Sequence, residues 1–331
     1  MKIFTRPLLP VLVMLLTSPI SWPQLLDSLR KPHEGLFPVS INTKMGYINS
    51  LGEIAIPPKF DVAFDFSDGL AAVEVSGKWG YINAGGDFVI EPRLEEDIQA
   101  WNFNNGRACV IIHGKTGFID KTGNMVIPLK YEGPAYFSDG YAYVMWGKSS
   151  GYIDSDGKLI WEGFGRPFSE DLAAVNTEAG TGFINSTGQF VIEPKYDSAG
   201  NFSDGLAAVY KNGKWGYIDK AGKVVVPMIF DDVLDFSEGL AVVRKNGHAH
   251  FIDVSGSRVI SEDYDFVASF SDGLAAARIG KKVGFIDKTG AIAIPAAFDQ
   301  ARQFSGGLAQ VLVGDHWSYI DRTGRVIWPK N

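Results

Sequence analysis

One short motif, Gly–aromatic–Ile–Asp or Asn, recurs along almost the whole chain and limits what it can fold into. It first reads Gly46-Tyr47-Ile48-Asn49, and six of the eight spacings to later occurrences are 34 residues. The aromatic residues of the nine occurrences are Tyr47, Tyr81, Phe118, Tyr152, Phe183, Tyr217, Phe251, Phe285 and Tyr319. A fixed period of this length indicates a repeat architecture, in which each unit buries its apolar face against its neighbours. The sequence therefore predicts nine copies of one unit.

Each copy contains the same succession of strand and turn signals. In the sixth copy these are a small-apolar strand at 206–209, the turn pair Asn212-Gly213, a second strand at 214–218, an Asp219-to-Gly222 turn, and a β-branched strand at 224–226 that stops at Pro227. Asn-Gly is the strongest short hairpin signal, and proline cannot donate to a strand ladder. Each copy is therefore predicted to be a three-stranded antiparallel meander of about 34 residues.

A longer connection joins one copy to the next. It carries an aromatic residue and an acid, as in Phe230-Asp231, and ends in a Phe-Ser-Asp-Gly sequence such as 202–205. The aromatic residues are expected to anchor neighbouring copies, and Ser-Asp-Gly is expected to form a turn. No segment of 34–331 has a helical apolar period, so the chain is predicted to be all-β and to form one array without linker-joined domains.

The repeated Lys-Trp-Gly-Tyr-Ile sequence, complete at 78–82 and 214–218, resembles the bacterial WG-repeat family. The resemblance covers about residues 34–330, and the family's Trp is present at Trp79, Trp215 and Trp317. It implies a repeat scaffold, often exported, without a shared catalytic activity. The second hairpin also resembles the Trp-Tyr-Asp-Gly hairpins of cell-wall-binding repeats.

The copies could form an open array or a closed ring. The array starts at Gly35-Leu36 and ends with the third strand of copy nine at 326–328, so no blade is shared between the two termini. One copy gains three residues and another loses three. These features favour an open β-solenoid or superhelix. The small residues of the first strands instead suit the crowded axis of a closed β-propeller-like ring, which is the alternative.

The first 23 residues have the layout of a secretory signal peptide. Lys2 and Arg6 precede an apolar stretch at 8–16, and small residues follow at 17–21. An apolar run of this length is too short to span a bilayer. We therefore expect a signal peptide at 1–23, a short lead-in at 24–33 and the repeat array at 34–331. The expected location is exported: periplasmic, cell-surface or secreted.

Charge and cysteine content exclude several classes of partner. The net charge is −7, whereas nucleic-acid binding needs a basic surface. A single cysteine allows neither a disulfide framework nor a multi-cysteine metal site. We expect no nucleic-acid partner, and no transmembrane span in the mature chain.

No catalytic constellation is recognisable, and we expect a non-enzymatic protein without a cofactor. The recurring Asp and Asn residues supply too few oxygens for calcium and are interpreted as turn residues. His248 and His250 share one side of a strand and form a weak candidate metal site. Cys109 is interpreted as an inert core thiol, and a nucleophilic role with His113 is the less favoured reading.

The middle copies depart most from the repeat pattern, and their departures are the candidate binding residues: Trp101, Arg107, Trp146, Trp161 and Arg166. Trp and Arg are enriched at recognition surfaces, although decay of the repeat would produce departures as well. The favoured function is a scaffold that presents an extended surface to a protein or cell-envelope partner. The alternative is a module that binds glycan or peptidoglycan.

Overall fold

The computed structural model describes residues 35–92 and 98–329, which form strands and turns. Within these ranges no helix is long and apolar enough to cross a membrane. The predicted signal peptide and the lead-in lie outside the described residues. The strands form nine separate antiparallel sheets, one per copy, which we call blades one to nine.

Blades one to three contain β1 (Leu36–Ile41), β2 (Lys44–Asn49), β3 (Ile54–Phe60); β4 (Val62–Ala63), β5 (Ala71–Val75), β6 (Lys78–Ile82), β7 (Phe88–Ile90); and β8 (Ile98–Asn104), β9 (Arg107–Ile112), β10 (Lys115–Ile119), β11 (Met125–Tyr131). Blades four to six contain β12 (Phe137–Ser138), β13 (Tyr141–Trp146), β14 (Ser149–Ile153), β15 (Leu159–Glu162); β16 (Phe164–Gly165), β17 (Ala173–Thr177), β18 (Gly180–Ile184), β19 (Phe190–Tyr196); and β20 (Ser198–Ser203), β21 (Leu206–Lys211), β22 (Lys214–Asp219), β23 (Val224–Phe230). Blades seven to nine contain β24 (Asp232–Val233), β25 (Leu240–Lys245), β26 (His248–Asp253); β27 (Leu274–Ile279), β28 (Lys282–Asp287), β29 (Ile292–Phe298); and β30 (Gln300–Ala301), β31 (Leu308–Val313), β32 (His316–Asp321), β33 (Val326–Trp328).

The predicted three-stranded meander is present in every described blade except blade seven, and the connection between copies adds a further strand to most blades. Six of the nine sheets have four strands among the described residues. The added strand comes first in its blade; β4, for example, pairs Val62 with Glu74 and Ala63 with Val73. We call this added first strand the inner strand. The predicted packing anchors are divided between elements: Phe230 ends the third strand β23, Phe202 lies in the inner strand β20, and Phe236 follows the inner strand β24.

The blades form a closed ring, a β-propeller. Phe37 of blade one packs edge-on against Tyr319 of blade nine, with ring centroids 5.6 Å apart. The Tyr319 hydroxyl donates to the backbone oxygen of Pro38 at 3.2 Å. Phe37, Val39 and Ile48 form one buried cluster with Leu308, Tyr319 and Ile327.

The favoured open β-solenoid or superhelix is therefore wrong, and the closed ring is correct. The absence of a shared terminal blade misled the prediction, because the structure closes by side-chain packing between blades one and nine. Each blade offers an apolar face to either side, and the last face is covered only when it meets the first.

Neighbouring blades are joined by the tyrosine of the repeated motif. The hydroxyl of Tyr47 donates to the backbone oxygen of Phe64 in the next blade at 2.6 Å, and Tyr217 donates to that of Leu234 at 2.6 Å. The ring of each tyrosine is buried between blades. The motif thus fixes the spacing between blades as well as the strand that contains it.

The Ser-Asp-Gly turns form a second series of links between blades. The Ser203 hydroxyl donates to the Phe236 backbone oxygen at 2.6 Å, and the Asp204 carboxylate accepts from the Gly239 backbone N–H at 2.7 Å. The same turn-to-turn bond joins Asp68 to Gly106, Asn105 to Gly140, Asp139 to Asp171, Glu170 to Gly205, Glu238 to Gly273 and Asp272 to Gly307. The Asp, Glu or Asn side chain at this position therefore accepts a hydrogen bond from the neighbouring blade, in addition to forming the turn.

The glycine of the motif is required by a close approach within the blade. A Cβ on Gly216 would lie 2.5 Å from the Val226 backbone oxygen of the third strand. In blade seven His250 occupies this position and carries such a Cβ. There the facing segment pairs only through isolated bridges, Ala249 with Tyr264 and Ile252 with Arg258. Blade nine has Ser318 at this position and keeps its third strand β33, so loss of the glycine alone does not remove the strand.

Candidate functional site

The inner strands line the axis of the propeller, where the blades converge. The residue just before the repeated Phe varies between blades two and nine, with six residue types at eight positions: Asp65, Asn102, Tyr136, Pro167, Asn201, Asp235, Ser269 and Gln303. Gln303 donates to the Ser269 backbone oxygen of the preceding blade at 3.4 Å, so neighbouring blades meet at this level. The third strands lie outside and expose residues such as Ile54, Val224 and Ile292.

Arg166 and Asp235 provide opposite charges on this inner wall. They belong to blades five and seven, yet their charges interact across blade six. Asp235 contacts solvent, but burial among the surrounding inner strands raises the pKa of its carboxyl group to about 6, and the Arg166 charge opposes this rise. Burial lowers the pKa of the Arg166 guanidinium, with Asp235 acting in the opposite direction. A charged pair two blades apart is possible only near the axis.

A second candidate surface is an apolar cleft of about 410 Å³ between blades three and four. It is lined by Lys130, Tyr131, Trp146, Gly157 and Leu159. The Tyr131 and Trp146 rings meet edge-on with centroids 6.1 Å apart, and the Lys130 ammonium lies 4.9 Å from the Tyr131 ring centroid. Leu159 is 45% exposed. Of the predicted binding residues, Trp146 lies in this cleft.

The structure separates the other predicted binding residues. Trp101 lies on inner strand β8, is 37% exposed and accepts the Tyr81 hydroxyl at its backbone oxygen. Trp161 packs with Tyr152 and Ile160 against the core of blade five. The Arg107 Nε donates to the Ser155 backbone oxygen of blade four at 3.4 Å. These three side chains and Trp146 therefore do not form one aromatic surface.

The weak candidate metal site consists of two histidines on β26. His248 is exposed, and the half-buried His250 ring lies 6.2 Å from the Phe230 ring. Burial is the main cause that lowers the pKa of His250, and the nearby Arg258 adds to it. Among residues 35–92 and 98–329, no group of three or more His, Cys, Asp or Glu residues is placed to hold a metal ion.

Cys109 lies in the core of the interface between blades three and four. Its side chain is 2% exposed, and burial raises the pKa of the thiol to about 12. The thiol is therefore protonated at neutral pH, which is the state expected for a packing residue. His113 lies in an exposed hairpin turn with a φ of 48°.

The sequence marks Arg166 and Trp146 as departures from the repeat, and their roles in binding stay predictions. Their neighbours Asp235 and Tyr131 look like ordinary residues of the repeat, so nothing marked them. One signal was available for Asp235: Gly200 stands where other blades have Phe64, Trp101 or Leu234, and the Asp235 carboxylate occupies the space that its missing side chain leaves.

One of the similar solved structures supports the propeller fold. A crystal structure of a eukaryotic initiation factor superimposes with a TM-score of 0.62 at 11% identity, covering 88% of this chain and 94% of that chain. BamB from Moraxella catarrhalis gives a TM-score of 0.42 at 13% identity over 89% of this chain and 96% of that chain. AztD from Citrobacter koseri gives a TM-score of 0.39 at 15% identity, covering 77% of this chain and 91% of that chain. The similarity to the initiation factor, with its TM-score of 0.62, supports the propeller fold and says nothing about function.

The comparison with curated proteins finds no match. The family comparison supports the resemblance seen in the motif. The matched segments leave out residues 146–181, which include Trp146, Trp161 and Arg166. The WG containing repeat model matches residues 45–79, 79–115, 117–145, 182–215, 215–247, 251–282 and 284–317, and the chain therefore belongs to the WG containing repeat family.

Proposed function

We propose that this propeller is a non-enzymatic, exported scaffold that binds a protein or another component of the cell envelope. The observation that carries the proposal is the apolar cleft between blades three and four. The half-buried Trp146 and the exposed Leu159 beside Lys130 give the cleft the apolar surface with a charged rim that is typical of a recognition site for another macromolecule. The signal-peptide layout of residues 1–23 supports the exported location.

The cleft lies where the chain departs from its repeat. Trp146 occupies the end of β13, and the family match stops just before it, at residue 145. Scaffold positions repeat from blade to blade because they join the blades, whereas a binding residue has no such constraint. An apolar cleft on one blade junction therefore fits a partner that binds at one place on the ring.

The test compares two substitutions at the same repeat position. Leu159 and Ile292 each begin a third strand, and they are 45% and 57% exposed. We expect Leu159→Asp to reduce capture of an envelope partner about tenfold or more, because it puts a charge into the apolar cleft. Ile292→Asp, the matched control, should leave capture unchanged.

The measurement is quantitative recovery from envelope extracts on the wild type and the two variants, with thermal unfolding as the check on folding. Equal recovery by the wild type and Leu159→Asp would contradict the proposal. Retention of purified sacculi that is lost with Leu159→Asp, without recovery of a protein, would identify the glycan alternative as the function.

A further inference from the structure

The apolar cleft between blades three and four has a counterpart between blades one and two, where a lysine spans it. There the Lys59 ammonium donates to the Gly86 backbone oxygen at 3.1 Å and lies 5.2 Å from the Phe60 ring centroid. The Phe60 and Phe88 rings meet edge-on, with centroids 6.3 Å apart. At that junction the lysine and both rings therefore join the two blades. The strand pairings give the equivalent residues of the cleft, in the order Lys130, Gly157, Tyr131 and Leu159.

Two differences leave the cleft open. Leu159 has no ring where blade two has that of Phe88, and it is 45% exposed. The Lys130 ammonium lies 4.9 Å from the Tyr131 ring centroid and, in the part of the chain that the structure describes, has neither a hydrogen bond nor an ion pair. The Trp146 ring, 6.1 Å from that of Tyr131, extends the aromatic wall. The cleft thus combines an apolar surface, a volume of about 410 Å³ and a cation without a counter-charge.

The surroundings of the cleft are basic, although the net charge of the whole chain is −7. Within two residues of the lining positions, the chain carries three lysines and two acids: Lys130, Lys148, Lys158, Glu132 and Asp156. Glu132 is already paired with Lys115 at 2.8 Å, whereas none of the three lysines forms an ion pair with another described residue. Charge complementarity therefore favours a partner with a negative charge beside its apolar group.

We propose that the cleft binds a segment of a protein chain in which an apolar side chain, such as Phe or Leu, stands next to Asp or Glu. The apolar side chain enters beside Trp146 and Leu159, where it leaves water, and the carboxylate pairs with the Lys130 ammonium at the rim. Apolar contact supplies the affinity, and the lysine selects acidic over basic segments. This inference rests on the proposed function, because it names the chemistry of the partner for the same cleft.

The probes are fluorescein-labelled peptides of Gly and Ser with one central pair, which is Phe-Glu, Phe-Gln, Phe-Lys or Ala-Glu. Fluorescence anisotropy measures their binding to the full chain. We expect the Phe-Glu peptide to bind about fivefold more tightly than Phe-Gln, which lacks the charge-assisted bond, and Phe-Lys to bind more weakly still. The Ala-Glu peptide should bind at least about tenfold more weakly than Phe-Glu, because it buries no ring. No binding of Phe-Glu, or equal binding of Phe-Glu and Phe-Lys, would overturn the proposal.

The charge of residue 130 provides the sharpest test. Lys130→Glu should reverse the preference, so that Phe-Lys binds more tightly than Phe-Glu, and Lys130→Gln should make Phe-Glu bind no more tightly than Phe-Gln. Lys195→Glu is the matched control, because Lys195 precedes the equivalent Tyr196 of blade five, 5.3 Å from its ring centroid. It should leave the preference unchanged. Circular dichroism confirms that each variant is folded.

The outcomes separate this proposal from the scaffold function. Loss of envelope capture with Leu159→Asp, together with a peptide preference that neither Lys130 variant alters, would exclude the acidic segment and leave the scaffold function standing. Equal binding of Phe-Glu by the wild type and Leu159→Asp would show that the peptide binds outside the cleft, and would also refute the proposal. Envelope capture decides the scaffold function independently of both results.

Discussion

The junction between blades six and seven and the junction between blades nine and one close the same ring by different means. At the first, Tyr217 donates to Leu234, Ser203 donates to Phe236, and the Asp204 carboxylate accepts from Gly239. At the second, Tyr319 donates to Pro38, and an apolar cluster around Phe37 fills the space. Gly306 stands at the position of Asp204 and has no carboxylate to offer.

This difference shows which contacts a closed ring needs. The turn-to-turn bond occurs at seven junctions among the described residues, yet the closing junction is formed with a glycine in its place. Apolar packing and the tyrosine hydroxyl are therefore sufficient to close the ring. The turn side chains, six carboxylates and the Asn105 amide, add to these seven junctions without being necessary for closure.

The largest effect is expected from removing the apolar contact at the closing junction. Phe37→Ala should lower the free energy of unfolding by about 3–5 kcal/mol, because the Phe37 ring is fully buried. Limited proteolysis should then cut blade one first. Phe236→Ala, at the junction of blades six and seven, should cost a similar amount without making blade one sensitive. Identical cleavage patterns for the two variants would show that the closing junction is not distinct.

A smaller effect is expected from the tyrosine at the internal junction. Tyr217→Phe should cost about 1 kcal/mol, because the Leu234 oxygen loses its donor from the preceding blade while the ring stays packed. Urea denaturation measures the change. Tyr210→Phe, on a half-buried residue of β21, is the control and should cost little. A neutral Tyr217→Phe would mean that ring packing alone determines blade spacing.

The smallest effect is expected from giving the closing junction the carboxylate that it lacks. Gly306→Asp should stabilise the protein by about 0.5 kcal/mol, since one charge-assisted bond to the first blade becomes possible. The backbone allows the change: Gly306 has a φ of 62°, and Asp272 already adopts 51° at the same position. The reverse change, Asp272→Gly, should cost a similar amount at its own junction. Destabilisation by Gly306→Asp would contradict this account.

Much of the scaffold could be predicted because it repeats. The hairpin turn at Asn212-Gly213 and the strand stop at Pro227 follow from local backbone preferences. The inner strand was not predicted, because it can be as short as two residues, such as Val62–Ala63 in β4. Two residues are too few to show the alternation that marks a strand in a sequence. Ring closure was only the alternative prediction, because it depends on residues 281 positions apart, Pro38 and Tyr319.

The candidate sites were predictable only in part. Arg166 and Trp146 differ from the repeat and could be identified by that difference. Asp235 resembles the Asp65 of blade two, and only its position opposite Arg166 and over Gly200 gives it a distinct environment. Arg166 and Asp235 lie two blades apart, and a sequence pattern that repeats once per blade does not indicate which residues of different blades come close together.

The inner-wall position before the repeated Phe has a consequence for how such a protein can change. Gln303 donates to the neighbouring blade, yet the position takes six residue types in eight blades, from Asp65 to Gln303. A single substitution there changes one side chain at the axis, while the links through the main chain, the motif tyrosine and the turn stay the same. The side chains at the axis can therefore change one blade at a time without a change of architecture.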